Sequence, residues 1–372
     1  MTRKERLLSI FNGIVPDRPA VKLWGVNPFQ ECNIPAFEEV RKLAIDKTDL
    51  VVRTGSEFNL YCGCHHQRCI ETHDIPADSD DWVDQITIYH TPAGDLRSVF
   101  TKSTCGKPGY EKEHLLKEPD DIKKLLSMPY AQNKFSIDEH SRTKYDLGNA
   151  GIAMFGLDHA MYGLVRLIGS ENFALWSFDY ENLLLEAIEV FSTRLCEFAK
   201  TAISNGISGV FGWVGPELCI PPLMSPTAFD TYVFGFDKRL IDIIHNGGGR
   251  VWVHCHGKMK TMISRFIEMG VDVLNPIEPP PMGDISMEDA FKIVGSRIAL
   301  EGNIEMHDFM VCTPRQLEKK IHDTLDAGKG KRLILCPSSG YIQSVEPSVQ
   351  EIENWLFYIN ESVRFAEEIS KI

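Results

Sequence analysis

Two histidines stand two positions apart at the end of an apolar run, in VWVHCHGKM at residues 251–259. In an extended strand alternate side chains point to the same side, so His254 and His256 face together while Cys255 faces the other way. Such a pair can present two ring nitrogens to one metal ion. It is also compatible with one hydrogen-bonded histidine and one substrate-binding histidine, and the sequence leaves both interpretations open.

Two further side chains could complete a metal site with this pair. Cys336 ends the apolar run RLILC, and Glu217 follows the apolar run GVFGWVG. Imidazole, thiolate and carboxylate are all ligand types that zinc accepts, and the carboxylate exchanges most readily. The sequence therefore predicts a zinc site made by the histidine pair, Cys336 and Glu217. Without a metal, Cys336 would be an ordinary buried strand residue and Glu217 a carboxylate on the approach to a helix.

Several polar and aromatic residues near other apolar runs could contact a substrate. Asn303 follows the run RIALEG and is predicted to donate a hydrogen bond to the substrate. It would then act in catalysis together with His254 and Glu217. The remaining candidates for substrate binding are Trp24, Asp158, His159, Trp213, Glu278 and Ser339.

A cysteine-rich segment, YCGCHHQRC at residues 61–69, is a second candidate for ligand binding. The spacing of Cys62, Cys64 and Cys69 is that of neither a standard zinc finger nor an iron–sulfur protein. We expect a loop that lines the entrance to the site, where His65 or His66 contacts a ligand. A second metal site is the alternative.

Short apolar runs alternate with helical patterns along most of the chain. The runs occupy 20–26, 49–55, 151–156 and 206–215, and four more begin near 251, 271, 297 and 332. The helical patterns cover 36–46, 226–249, 258–269, 287–294, 314–327 and 348–369. Strands alternating with helices indicate right-handed βαβ units and a parallel sheet. Eight such units predict a single α/β domain over residues 1–372, a (β/α)8 TIM barrel whose catalytic groups lie at the C-terminal ends of the strands.

The segment from about 56 to 130 interrupts this alternation. Residues 82–101 predict a β-hairpin that turns at PAGD, and residues 118–129 predict a short helix. The first residues of the chain predict an amphipathic helix. We interpret these parts as an N-terminal helical and hairpin elaboration, with the insert covering one end of the barrel.

The composition argues against several classes of partner. Asp and Glu outnumber Lys and Arg by 52 to 39, giving a formal charge of −13 that disfavours nucleic acid or an anionic membrane as the main partner. No apolar run approaches the roughly 18 residues of a membrane span, and no secretion signal is visible at the start. The ten cysteines are scattered, as in proteins with reduced thiols, so we expect a cytoplasmic location. Motifs for dinucleotide binding, P-loop hydrolysis and serine hydrolysis do not occur.

The stretch that begins AFDTYV and ends EGNI, residues 228–304, resembles the uroporphyrinogen decarboxylase superfamily. More narrowly, it resembles the corrinoid-dependent methyltransferase branch of that superfamily. The similarity extends from RKERLLSIFNG near the N-terminus through TPAGDL and KEPDDIKKLL to the last strand. This resemblance also implies a (β/α)8 barrel.

Proteins of the methyltransferase branch carry a zinc motif, His-x-Cys-Gly, at the end of the fifth barrel strand, and a distant cysteine after the eighth. This chain has histidine at 256, where the branch has cysteine. Cys336 lies three residues before the usual position of the distant cysteine, which Ser339 occupies. The ligand set of this chain is therefore inferred rather than copied from the family motif, and its fourth ligand stays open.

The resemblance implies a zinc-dependent transfer of a methyl group, as in anaerobic one-carbon metabolism. The methyl group would move between a small methylated substrate, or a thiol acceptor, and a corrinoid protein. The cobalamin would be carried by a separate chain, because the signature Asp-x-His-x-x-Gly is absent here. A site rich in neutral histidine leaves zinc more electrophilic than one rich in thiolate, which favours demethylation of the substrate.

The alternative is a metal-free decarboxylase or lyase of the uroporphyrinogen decarboxylase type, acting on a small or tetrapyrrole carboxylate. His254 and His256 would then be acid–base groups. The family's decarboxylases hold the porphyrin carboxylates with arginines after the first strand, whereas VKLWGVNPFQE offers Lys22 but no arginine before Arg41. Several carboxylates need several cationic partners, so the sequence disfavours a tetrapyrrole substrate. A binding module without catalytic activity is a third alternative.

Overall fold

Parallel strands and helices alternate in the computed structural model of the chain, which describes residues 1–105, 107–342 and 346–371. The strands are β1 Ala20–Val21, β2 Leu50–Thr54, β3 Ile70–Pro76, β4 Trp82–Tyr89, β5 Leu96–Ser103, β6 Tyr110–Glu113, β7 Gly151–Gly156, β8 Val210–Val214, β9 Arg250–His254, β10 Val273–Asn275, β11 Ala299–Ile304 and β12 Leu333–Pro337. The α-helices are α1 Arg3–Phe11, α2 Glu38–Lys47, α3 His66–Cys69, α4 Asp121–Leu126, α5 Asp138–Leu147, α6 Ala160–Ile168, α7 Ser170–Asp179, α8 Glu181–Ser204, α9 Pro226–Phe229, α10 Gly235–Asn246, α11 Ile263–Met269, α12 Met287–Val294, α13 Met306–Val311, α14 Pro314–Ala327 and α15 Val349–Ile369.

Eight of these strands form the barrel. They pair in parallel in the order β1, β12, β11, β10, β9, β8, β7, β2. The backbone N–H of Asp49 donates to the carbonyl of Val21 at 2.7 Å, which joins the two ends of this order. The predicted (β/α)8 barrel is confirmed, with a strand at each of the eight predicted positions. The first is shorter than predicted, since regular pairing covers only Ala20–Val21.

The helices follow the predicted pattern closely. The helices predicted at 287–294 and 314–327 have those bounds, and each begins after a capping side chain. The helix predicted at 226–249 begins at Pro226 and ends at Asn246, before three glycines. It contains a π-helical turn at Asp230–Phe234, which joins α9 to α10. No described helix combines the length with the apolar character needed to cross a membrane.

The N-terminal helix packs under the barrel. Thr2 and Glu5 form a capping box at its start, and Leu7, Ile10 and Phe11 are fully or almost fully buried. These three side chains pack against inward-facing residues at the beginnings of the strands, among them Ile152. Because α1 covers the N-terminal end, polar groups at the C-terminal strand ends are left around the opposite opening, called the barrel mouth below.

The segment between β2 and β7 has its own antiparallel sheet, in the order β3, β4, β5, β6. The predicted hairpin is confirmed by the pairing of β4 with β5 over the whole length of both strands. The predicted short helix is present as α4.

Candidate active site at the barrel mouth

A pocket of about 490 Å³ opens at the barrel mouth. Its polar lining consists of Glu217, His256, Glu278, Glu305, His307, Ser338 and Ser339. Its apolar lining includes Pro222, Leu223, Met282 and Met306. None of the described residues that line this pocket is Arg or Lys, so its fixed charges are carboxylates opposed only by histidine. Coulomb interactions therefore favour cationic or neutral ligands here over anionic ones.

His256 is held by a carboxylate. Its Nδ1 donates to Oε1 of Glu278 at 2.9 Å, and the Glu278 side chain is almost completely buried. Burial opposes the charge of His256, but the bond to Glu278 and the nearby charges of Glu217 and Glu305 outweigh it and raise the pKa of His256. A carboxylate on Nδ1 leaves Nε2 as the nitrogen that can meet a ligand, as in many histidine metal ligands.

His254 lies deeper than His256, and the two rings meet edge to face with centroids 4.5 Å apart. This contact confirms that the pair shares one side of the strand end, while Cys255 is buried in the core. Nδ1 of His254 bonds to Oδ1 of Asn275 at 2.5 Å. Burial lowers the pKa of His254 to about 3, so the ring is neutral over the physiological range. Trp24 stacks on this ring at 4.5 Å between centroids, which places a predicted substrate-binding residue beside it.

Beneath His254, one buried carboxylate joins three donors. Oε1 of Glu301 accepts from Nζ of Lys22 at 2.6 Å and from Nδ2 of Asn275 at 3.0 Å. Oε2 of Glu301 accepts from Nε1 of Trp252 at 3.0 Å. Buried polar groups need such partners, because an unpaired charge in a core is strongly destabilising.

Two glycines let the backbone bring these side chains to the pocket. Gly215 follows β8 with φ +130°, and a Cβ there would lie 2.5 Å from Cβ of Tyr162. Its N–H donates to Oε2 of Glu217 at 3.1 Å, which fixes that carboxylate at the pocket wall. Gly257 follows His256 with φ +122°, and a Cβ there would lie 2.7 Å from the carbonyl oxygen of Pro221.

Two carboxylates of the pocket resist ionisation. Burial raises the pKa of Glu217. Burial, together with the charges of Glu278 and Asp308, raises the pKa of Glu305 to about 7. Oε1 of Glu305 is buried and has no hydrogen-bond partner among the described residues, and Oε2 accepts from Oγ of Ser338 at 3.5 Å. Such a carboxyl group is suited to exchange a proton or to meet a cation.

Cys336 is placed apart from the pocket lining. Its side chain is fully buried beside Lys22 and Glu301, and burial raises the pKa of the thiol well above its usual range. A metal ligand would have to be the thiolate, which this environment disfavours. Ser339, which stands where the related motif has its cysteine, does line the pocket.

Two of the predicted substrate-binding residues point to a helix instead of the pocket. Nε2 of His159 donates to Oδ2 of Asp237 on α10 at 3.1 Å, while Nδ1 accepts from the N–H of Tyr162 and caps α6. Nε1 of Trp213 donates to the same oxygen of Asp237 at 3.0 Å. These side chains hold helices to the barrel wall and are not among the residues that line the pocket.

Asn303 and Asp158 are also outside the pocket lining. Oδ1 of Asn303 accepts from Oγ1 of Thr324 on α14 at 2.7 Å. Asn303 thus lines a separate groove of about 720 Å³ on the outside of the barrel. Asp158 lines a smaller pocket beside Arg53. The structure therefore brings four predicted residues to the pocket lining, namely Glu217, His256, Glu278 and Ser339. His254 contacts His256 from deeper in the barrel and Trp24 stacks on His254, while the other predicted residues lie elsewhere.

The described residues contain no compact group of three ligand atoms at the mouth. Glu318, His322 and Glu361, on α14 and α15, are the described His, Cys, Asp and Glu residues whose ligand atoms all lie within 4.8 Å of one another. The carboxylate of Glu361 in this group is already paired within the protein, with Arg364 and with Nε2 of His322 at 2.6 Å. Zinc at the mouth would thus require side-chain movement.

The cysteine-rich segment is no compact metal group either. Cys62 is buried, Cys69 is half-buried and Cys64 is exposed, and all ten cysteines of the chain are free. Nδ1 of His66 lies 3.5 Å from the carboxylate of Glu57, and His65 contacts Arg68. None of these residues lines the mouth pocket.

Sequence reasoning missed three residues that shape the site, namely Asn275, Glu301 and Glu305. For Glu301 a signal was present, because an acidic residue in the run RIALEGN must find a partner if that run is a buried strand. Lys22, in the apolar run AVKLWGV, is the matching signal of opposite charge. Glu305 carries no comparable signal, since it lies in the segment that follows the strand.

Comparisons with known proteins agree with this architecture. A family model described as uroporphyrinogen decarboxylase (URO-D) matches residues 112–352. The uroporphyrinogen decarboxylase of Prochlorococcus marinus is 21% identical over 164 residues, so the chain matches only 43% of that protein's length. A methyltransferase from Methanosarcina mazei shares the fold with a TM-score of 0.59 and 14% identity, over 97% of this chain and 99% of that one. The family match covers more than half of the chain, and the protein therefore belongs to the uroporphyrinogen decarboxylase family.

Proposed function

We propose that this chain is a zinc-dependent methyltransferase that moves a methyl group between a small methylated substrate and a corrinoid protein. The observation that carries the proposal is the pair of histidines at the end of β9. Each has its Nδ1 bonded to a side-chain oxygen, of Asn275 or Glu278, which leaves Nε2 for a Lewis acid. The whole-chain likeness to the fold of the Methanosarcina mazei methyltransferase supports the same class.

The donor set fits a divalent cation in its chemistry. His254 and His256 would supply imidazole nitrogens, and Glu217, in the pocket with His256, would supply a carboxylate. Cys336 could join only if its thiol turned away from Lys22 and Glu301 and lost its proton. The acidic lining supports the cation, because Glu217, Glu278 and Glu305 would offset its charge.

Zinc held there would act as a Lewis acid that stabilises negative charge on the atom from which, or to which, the methyl group moves. The residues of this chain would orient the ligands and surround the substrate. Glu278 would orient His256, and Trp24 would hold His254 from one side. The apolar wall of Leu223 and Met282 would surround the methyl group. Because the ligands that meet at the mouth are imidazole and carboxylate rather than thiolate, we favour demethylation of an oxygen-linked methyl group, with transfer to a thiol acceptor as the alternative direction.

A decarboxylase is the second candidate, favoured by the similarity to the Prochlorococcus marinus enzyme. A tetrapyrrole substrate carries several carboxylates and would need several cationic partners. The described lining of the mouth pocket has no Arg or Lys and three glutamates. This lining supports methyl transfer over decarboxylation of a polycarboxylate.

The proposal is tested by incubating the zinc-loaded protein with cob(I)alamin and a panel of methyl ethers, methyl thioethers and methylamines. Methylcobalamin formation, followed by the cobalt absorbance, should require the protein and should be lost in the H254A/H256A double variant. The matched control is H245A, since His245 is also paired with a carboxylate, Asp272 at 2.8 Å, but lies away from the mouth. Carbon dioxide release from a carboxylate substrate, without methylcobalamin from any donor, would refute the proposal.

A further inference from the structure

Glu301 determines how the Asn275 amide is turned. The Glu301 carboxylate can only accept hydrogen bonds, and it is paired with the ammonium group of Lys22 at 2.6 Å in a fully buried position. The Asn275 amide group facing Oε1 must therefore be the donor, Nδ2, at 3.0 Å. If the amide were reversed, two acceptor oxygens would face each other without a proton in a buried site, which is strongly unfavourable.

This orientation in turn fixes the proton of His254. With Nδ2 committed to Glu301, the carbonyl oxygen Oδ1 of Asn275 faces Nδ1 of His254 at 2.5 Å. An amide oxygen accepts only, so Nδ1 must carry the proton. The ring is almost fully buried and its partner is an uncharged amide, which favours the neutral form, and a neutral ring with a proton on Nδ1 has a lone pair on Nε2.

We propose that Lys22, Glu301 and Asn275 form a relay that fixes His254 in the Nδ1-protonated tautomer and so presents an unprotonated Nε2 to the ligand of the mouth pocket. Nε2 of His254 has no hydrogen-bond partner among the described residues. It is also not one of the completely buried atoms that lack a partner, so it keeps some exposed surface. Glu301 and Lys22 thereby act as positioning residues, two and three contacts away from the ring. The inference deepens the proposed function, on which its importance for metal binding rests, but the tautomer itself is a property of the metal-free chain.

The relay also explains a buried ion pair in the interior of the barrel. A buried pair of opposite charges is seldom stabilising compared with apolar residues of similar volume. Here the charge on Glu301 is what distinguishes the two ends of the Asn275 amide. Lys22 keeps that charge in place, because it compensates the carboxylate within the core. Without Lys22, the Glu301 carboxylate would lose the partner that holds Oε1 in place beside Asn275, and the amide could turn over.

The test is nitrogen NMR of the metal-free protein labelled with 15N-histidine, with His254 assigned by comparison with H254Q. In the wild type, Nδ1 should give the signal of a protonated ring nitrogen and Nε2 that of an unprotonated one, across neutral pH. K22M and N275L should move His254 toward the Nε2-protonated form. W252F is the matched control, since it removes a different donor to Glu301 but leaves the bonds of Oε1 to Lys22 and Asn275.

Zinc affinity, measured by competition with a chromophoric chelator, gives a second readout. We expect N275L to bind zinc about 10- to 100-fold more weakly than W252F, as is typical when a partner of a metal-binding histidine is lost. A wild-type protein with the proton of His254 on Nε2 would overturn the relay, and this result needs no variant to fold. So would an unchanged tautomer in folded N275L. Failure of zinc to bind a protein with the expected tautomer would contradict the proposed function and leave the relay standing.

Discussion

Nδ1 of His256 donates to Oε1 of Glu278 at 2.9 Å, so the half-exposed histidine of the mouth is coupled to an almost fully buried carboxylate. The bond links the end of β9 to the segment after β10, and it ties the orientation of one proposed metal ligand to the barrel wall. The glutamate side chain is 5% exposed and the histidine side chain 39% exposed, so the ring keeps a face toward the pocket.

Replacing Glu278 by glutamine should lower the pKa of His256 in the metal-free protein. The raised pKa means that the folded state holds the His256 proton more tightly than the unfolded state does. The stability from this pair is therefore fully present below the usual pKa of 6.5 and is lost as pH rises through the folded value. NMR titration of His256 in wild type and E278Q checks the shift, with His245 as an internal reference. Equal titration curves for His256 would contradict this reading of the pair.

His254 should make the protein sensitive to acid. Its pKa of about 3 in the folded state lies below the usual 6.5. Between these two values the ring is protonated in the unfolded chain but not in the folded chain. Stability from this group is present above about pH 6.5 and is lost as pH falls toward the folded value. Relative to H254Q, the wild type should lose on the order of 4 kcal/mol of unfolding free energy between about pH 7 and about pH 3. Denaturant titrations at several pH values measure this difference, and a pH-independent difference would refute it.

Replacing Glu305 by glutamine should stabilise the protein at alkaline pH. A pKa of about 7 lies above the usual 4.5, so folding hinders ionisation, and the wild type loses stability as pH rises above the usual value. E305Q carries no such cost and should be more stable than the wild type by about 1–3 kcal/mol at about pH 8. The two proteins should converge at about pH 4, where the carboxyl group is neutral in both states. Thermal melts of both proteins at both pH values measure this difference in stability. An E305Q variant that is less stable than the wild type at alkaline pH would contradict the prediction.

The buried pair of Lys22 and Glu301 should show strong coupling in stability. K22M leaves an uncompensated carboxylate in the core and should cost about 3–5 kcal/mol of unfolding free energy. The double variant K22M/E301M removes both charges and should cost less than the sum of the two single changes. A double-mutant cycle in denaturant measures the coupling. Additive single effects would mean that the two charges do not depend on each other.

The barrel itself follows from the sequence, whereas the direction of individual side chains at its mouth does not. Alternation of apolar runs and helical patterns identifies all eight strands, and the period of two residues explains why His254 and His256 meet. Asn303 was expected at the mouth because it follows a strand, yet it bonds to Thr324 on α14. Asn303 lies within the last residues of β11, and the path of the backbone at a strand end decides such cases, about which sequence periodicity carries no information.

The sequence also does not show which residues pair in long-range hydrogen bonds. His159 and Trp213 look like mouth residues from their positions, but Asp237, far along the chain, accepts from both. The sequence does show that Lys22 and Glu301 need partners in their apolar runs. It does not show that they pair with each other across 279 positions.

Zinc stoichiometry tests the central claim most directly. Metal-stripped wild type and H245A, dialysed against the same limiting free zinc and measured by elemental analysis, should each bind one zinc per chain at the mouth. The H254A/H256A variant should bind none under those conditions while keeping a cooperative thermal unfolding transition. A folded double variant that still binds one zinc per chain would contradict the account, because the histidine pair would then not hold the metal.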